Sequence, residues 1–187
     1  MINAGELRKN TKLMIEGEPY VMLEVQFVKP GKGVAFYKCK MRNLMTGSLL
    51  ERTYRSGDTF EPATLEEKKM QYLYAQGDEY YFMDVKTYDQ VMLTAEAVGD
   101  ATEYLIDNLE MDILFFENKA IGITLPNFVE LEVTQADPWV KGDSVAGDSK
   151  PVTLQTGMVI QVPPFVEEGA IIQVDTRTRA YVTRVKK

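Results

Sequence analysis

Apolar residues in the first sixty positions recur mainly at a spacing of two, the period of a strand with one face in water. Tyr20 to Val28 alternates in this way, and the pattern predicts one buried face formed by Val21, Leu23, Val25 and Phe27. Leu13-Met14-Ile15 precedes it across a Glu16-Gly17-Glu18 turn. Val34 to Asn43 and Ser48 to Arg55 follow as further strands, separated by the turn former Met45-Thr46-Gly47. Within Val34 to Asn43, Lys38, Lys40 and Arg42 share one face and Tyr37, Cys39 and Met41 the other, because side chains alternate along a strand. Short strands, tight turns and no helix of usable length predict a small barrel.

The alternation breaks between Ser56 and Pro62, which sets a domain boundary near residue 64. Strand patterns resume at Met70 to Ala75, Glu79 to Asp84 and Gln90 to Leu93. Asp100-Ala101-Thr102-Glu103 has the form of a capping box and predicts a short helix from Asp100 to about Asn108. Met111 to Phe116 and Ile121 to Leu125, joined by an Asn118-Lys119 turn, complete a set compatible with a five-stranded OB barrel. Pro126 marks a second junction. Beyond it, Phe128 to Thr134, Met158 to Val162, Ala170 to Asp175 and Ala180 to Val185 read as strands. A polar loop from Asp137 to Pro151 interrupts them; it holds Gly142, Asp143, Ser144, Gly147 and Lys150, and a loop of that length inside a small domain more often carries function than not. The chain is thus expected to be all-β, with three tandem barrels over 1–64, 65–127 and 128–187.

Composition narrows the chemistry. The 187 residues include no histidine and one cysteine, Cys39, so Ser-His-Asp triads, Cys-His pairs and four-ligand Cys/His zinc sites cannot be built within the chain. No metal and no cofactor is expected. The net charge of -7 is unevenly spread: residues 1–64 hold 10 Lys+Arg against 7 Asp+Glu, residues 65–128 hold 4 against 13, and residues 129–187 hold 7 against 8. The basic first third is the part suited to a phosphate surface. A lone cysteine, an N-terminus without the pattern of a signal peptide and no apolar run of membrane-spanning length predict a cytoplasmic protein with no membrane partner.

The strands Tyr20 to Val28 and Val34 to Asn43 run into Val28-Lys29-Pro30-Gly31-Lys32-Gly33-Val34 from either side, so that stretch reads as a hairpin tip. Pro30-Gly31 suits the centre of a type II turn, with Gly31 at positive φ, so that Lys32 projects. A Walker loop would need Ser or Thr after the lysine and a helix next; here Gly33 and a strand follow. Schiff-base chemistry would need a buried or cation-flanked lysine, which an exposed tip does not offer. The residues alone leave Lys32 open between ordinary surface charge and a working contact. Likewise, the row Lys38, Lys40, Arg42 is either a solvated face or a track for a phosphate backbone. Tyr72, Tyr74, Tyr80, Tyr81 and Tyr88 crowd the acidic third; without nearby positive charge they read as core and interface rather than base-stacking residues.

Three separated stretches occur together in order: Phe27-Val28-Lys29-Pro30-Gly31-Lys32-Gly33 with Ala35-Phe36; Met41-Arg42-Asn43-Leu44 leading to Thr46-Gly47; and Gly157 to Pro163 with Val174-Asp175-Thr176-Arg177-Thr178. Over essentially its whole length the chain resembles bacterial elongation factor P. The resemblance implies a KOW/SH3-like domain and two OB domains in an L-shaped, tRNA-like arrangement. It implies a monomeric, non-enzymatic factor that binds the ribosome between the peptidyl and exit sites and relieves stalling at consecutive prolines. Lys32 would reach the acceptor end of peptidyl-tRNA, often after extension by a lysine-modifying enzyme; Lys29, Lys38, Lys40 and Arg42 would face tRNA or ribosomal RNA. The Gly142 to Pro151 loop would approach the exit-site codon, and Tyr181 and Arg184 would lie near the small subunit and tRNA. Two alternatives stand beside this reading: an elongation-factor-P-like paralogue, which has the same fold, and a general single-stranded RNA-binding OB protein. One departure stands out, since Arg179 occupies the position of a turn glycine.

Overall fold

The computed structural model describes residues 1–138 and 148–186. Six strands come first: β1 (Ile2–Asn3), β2 (Lys12–Ile15), β3 (Glu18–Val28), β4 (Phe36–Asn43), β5 (Leu49–Arg55) and β6 (Thr59–Phe60). Strands β7 (Glu66–Gln76), β8 (Glu79–Asp84), β9 (Gln90–Thr94), β10 (Glu110–Phe116) and β11 (Lys119–Thr124) follow. The last group is β12 (Phe128–Ala136), β13 (Lys150–Leu154), β14 (Val159–Val162), β15 (Ile171–Asp175) and β16 (Ala180–Arg184). They form sheets of order β2-β3-β4-β5, β11-β10-β7-β8-β9 and β14-β13-β12-β15-β16, with β1 paired to β6 alone. Among the described residues no helix is long and apolar enough to cross a membrane. By contact the chain divides into two units: Met1–Glu66 with Leu114–Gly122, and Glu67–Ile113 with the chain from Ile123 onward.

The first unit is organised by a bulge. Met22 pairs with Met41 and Glu24 with Lys40, so Leu23 is the extra residue on β3. The bulge shifts the side-chain phase by one, because strand faces alternate at a period of two. Met22, fully buried, therefore takes the core position that simple alternation assigns to Leu23, while Val21 moves to the outer face beside Arg42. Leu7, Leu13, Met22, Cys39 and Met41 fill the core. Burial pushes the Cys39 thiol above its ordinary pKa, so it is a small apolar filler rather than a nucleophile.

In the second unit the expected helix from Asp100 is displaced. The α-helical turn is Ala95–Val98, its N-terminus capped by Thr94 Oγ1, which accepts from the Ala97 N–H at 3.3 Å. Gly99, at φ +60, ends it, and residues 99–104 continue as a 3-10 helix that sinks Tyr104. A left-handed glycine thus outweighs the capping pattern one residue later. Tyr104 packs with Val129, Leu131, Ile160 and Ile172 in one core, and Thr156 Oγ1 donates to the Glu103 carbonyl at 2.5 Å. Strand β13 also departs from expectation by beginning at Lys150, inside the stretch expected to be loop. Pro151 pairs with Gln161 of β14, beyond the point where β12 stops pairing, so its missing N–H costs no ladder bond to β12.

One turn is built three times. Asn43 Oδ1 accepts the N–H groups of Met45 (2.7 Å) and Thr46 (3.0 Å), and the Gly47 N–H returns to the Asn43 carbonyl. Asp84 repeats this with Lys86, Thr87 and Tyr88. Asp175 does so with Arg177 and Arg179. The sequence signature is Asn/Asp-x-x-Thr followed by a left-handed residue: Gly47 at φ +76, Tyr88 at +64 and Arg179 at +59. Arg179 therefore keeps the turn geometry that its glycine-less sequence put in question, and its guanidinium pairs with Glu103 in the same unit.

Candidate functional site

The β3–β4 hairpin runs on past the core of the first unit. Val28 still pairs with Phe36, leaving residues 29–35 as a seven-residue tip. Lys29, Gly31, Lys32, Gly33 and Val34 are all exposed. Pro30-Gly31 does not form the expected type II turn. Gly31 stays outside the positive-φ region, and the left-handed residue is Gly33, at φ +119. A tip this wide needs no two-residue reversal; it reverses after Lys32 instead, where only glycine is at ease. Among the described residues neither Lys32 nor Lys29 has an ion pair or hydrogen bond, so both ammonium groups face solvent.

Cross-strand register sorts the basic row on the outer face. Lys38 lies between Gln26 and Thr53, and Arg42 between Val21 and Leu49. Lys40 is different: Glu24 and Glu51 flank it, with Nζ 3.8 Å from Glu51 Oε1. Its charge is largely spent inside the sheet, so Lys38 and Arg42 are the cations of this row best placed to meet a phosphate. The groove on this face holds about 450 Å³. On the opposite face Arg52 bonds Glu16 at 2.8 Å, and that guanidinium holds the Glu16 carboxyl below its ordinary range.

Sequence reasoning assigned Phe27 to the core, but 54% of it is exposed. It sits beyond the barrel on the core-side face of the hairpin, its ring centroid 5.1 Å from that of Tyr37. The Tyr37 hydroxyl lies against Gly5, where a Cβ would meet it at 3.3 Å. The Gly5 carbonyl in turn accepts from Arg8 Nη1 at 3.0 Å. The aromatic pair thus adjoins the turn that carries Arg8, and Lys29 follows Phe27 by two residues, a combination suited to stacking a base while holding its phosphate. The signal available in sequence was strand length: eleven residues of β3 exceed what a small barrel can cover.

In the second unit, Tyr181 packs against the core and lines a groove of about 530 Å³ with Val159, Pro163 and Arg179. Tyr181 pairs with Val174 and Arg184 with Ile172, across a bulge at Val182. The bulge brings Tyr181 and Arg184 to the same face, which their spacing of three would otherwise forbid. Arg184 lies over the Phe165 ring at 5.2 Å. Lys150 is buried, with Nζ 3.4 Å from the Asp137 carbonyl. It is thus an inward-facing residue at the root of its loop and not an exposed contact. Gly142, Asp143, Ser144 and Gly147 lie outside the described residues. No group of three or more metal-ligating side chains occurs among the described residues.

Family models match nearly the whole chain in the order of its sheets: the elongation factor P KOW-like domain over residues 3–60, its OB domain over 65–123 and its C-terminal domain over 129–184. The chain is 97% identical to elongation factor P of Desulfatibacillum aliphaticivorans across all of both chains. It is 61% identical to elongation factor P of Syntrophus aciditrophicus and 58% identical to elongation factor P 2 of Geobacter sulfurreducens, again over the full length of each. Among solved structures, translation initiation factor 5A from Methanococcus jannaschii matches with a TM-score of 0.56 and 24% identity, covering 66% of this chain and 93% of its own, a likeness of fold. The KOW-like and OB domains that the resemblance implied are therefore present, and the chain belongs to the elongation factor P family of translation elongation factors, whose work involves the ribosome and tRNA.

Proposed function

We propose that this protein binds the ribosome between the peptidyl and exit sites and speeds peptide-bond formation where consecutive prolines stall it. The observation that carries this reading is the exposed, unpartnered Lys32 at the end of a hairpin that outruns its own barrel. Such a tip has little side-chain bulk and can enter a crowded RNA cavity. There, a cation beside the acceptor end of peptidyl-tRNA holds it in a reactive pose, which lowers the entropic part of the barrier without proton transfer. The protein acts as a monomer in the cytoplasm, needs no cofactor and is not itself an enzyme. Lys38 and Arg42, with Lys29, meet the RNA backbone. Tyr181, Arg184 and the loop residues Gly142, Asp143, Ser144 and Gly147 contact the tRNA and the exit-site codon. A partner enzyme that extends Lys32 would find its side chain unencumbered, and on removing a proton would expose the amine that is acylated or alkylated.

The test is translation of a polyproline reporter with the wild-type protein and with Lys32→Ala, at equal ribosome occupancy. Lys32→Ala is expected to give output no better than omission of the factor. Equal synthesis by the two proteins would sink the tip-lysine mechanism. Intact-mass measurement of the native tip peptide decides the modification.

A further inference from the structure

The outer face of β7, β8 and β9 carries a surface that the tip mechanism does not use. Register places Tyr74, Tyr81 and Met92 in one row across the three strands, with Gln71, Met83 and Gln90 in the row on one side and Gln76, Glu79 and Thr94 on the other. A bulge at Leu73 turns Tyr74 outward, leaving it 49% exposed, and Met92 is 45% exposed. The Tyr74 and Tyr81 rings stack at 4.6 Å with their planes 19° apart, and the Tyr81 hydroxyl donates to Glu79 Oε2 at 2.7 Å. These three rows contain no lysine or arginine.

Stacked tyrosines on an OB sheet could suggest RNA, but single-strand binders place cations beside their aromatic platforms. Here the charge has the opposite sign. A carboxylate borders the rings, and residues 65–128 hold 13 Asp+Glu against 4 Lys+Arg. A phosphate backbone would be repelled, whereas a guanidinium is attracted twice, by the ring faces and by Glu79. Met83 and Met92 supply deformable apolar contact for the aliphatic stem of such a side chain. We propose that this face is a docking surface for an arginine-bearing segment of a basic protein. The proposal stands apart from the role of Lys32 and survives or fails independently of it.

The test is a titration of the full-length protein, followed by amide NMR, with a glycine-arginine peptide, its glycine-lysine counterpart and a single-stranded oligouridine. The arginine peptide is expected to shift residues around Tyr74, Tyr81 and Met92 and to bind about fivefold more tightly than the lysine peptide, since guanidinium adds stacking to charge. Tyr74→Ala is expected to remove that difference; Glu79→Gln, which preserves side-chain size, weakens both peptides. Equal binding of the two peptides, shifts scattered over other acidic surfaces, or oligouridine binding on this face would each overturn the proposal.

Discussion

Two exposed aromatic pairs, each formed across neighbouring strands, separate by charge. Phe27 and Tyr37 lie at the base of the tip, with Gly5 of the Arg8 turn against the Tyr37 hydroxyl and Lys29 two residues past Phe27; Tyr74 and Tyr81 lie on the second sheet, where the Tyr81 hydroxyl bonds Glu79. Both are made the same way, from adjacent strand positions raised out of the core by hairpin overhang or by a bulge. The ring supplies a π-face that accepts a base or a guanidinium alike, so the partner is chosen by the charges at its edge. The two proposals together give one protein a nucleic-acid platform and a cation platform built from the same side-chain vocabulary.

The sharpest way to break the comparison is at the tip. Phe27→Ala is expected to cut polyproline reporter output severalfold with the fold intact, and Phe27→Tyr to restore it; wild-type output from Phe27→Ala would leave the first pair without a stacking role. A smaller effect separates the scaffolds beneath the pairs. Asn43, buried and bonded to Met45, Thr46 and Glu18, holds the first hairpin, so Asn43→Ala should cost about 1–3 kcal/mol in denaturant unfolding. Arg179→Ala should be less stable than Arg179→Gly by about 1 kcal/mol, because both lose the Glu103 pair but only alanine keeps the left-handed cost. Equal melting of those two variants would show that the left-handed position exacts nothing there.

The smallest expected effect is a pH dependence. Backbone N–H groups of Lys86 and Thr87 hold the Asp84 carboxyl below its ordinary value near 3.8, and Arg177 does the same for Asp175, chiefly through its side-chain hydrogen bond. Both groups bind their proton less readily folded than unfolded. Their contribution is complete above the unfolded pKa and fades as pH falls through the lower folded value. Asp84→Asn should therefore flatten the acid limb of the stability curve below about pH 4. Asn43 makes the same turn with a neutral amide and contributes no such slope.

Much of this was legible in the strand pattern. Alternation revealed the barrels, and Lys38, Cys39 and Lys40 fall on the faces that their spacing assigns. What alternation misses is a change of phase. The bulges at Leu23, Leu73 and Val182 each reverse the phase between their two sides, so Val21, Tyr74 and Arg184 could not be placed from spacing alone, while Phe27 keeps its assigned face and is exposed because the hairpin outruns the barrel. Register also sets Lys40 between Glu24 and Glu51, twenty-seven positions apart in sequence and hence invisible to a local reading. The tip was recognised as a tip, but its reversal at Gly33 rather than Gly31 depends on the width of the loop, which strand pairing sets.

The thrice-built turn has a kinetic consequence. Each copy joins neighbouring strands, β4 to β5, β8 to β9 and β15 to β16, and fixes their register using only six consecutive residues. Contacts this local close with little loss of chain entropy, so each sheet has a hairpin that can form before its distant strands arrive. A ribosome releasing the chain from its N-terminus would deliver these three nuclei one after another, each ready to template its own sheet.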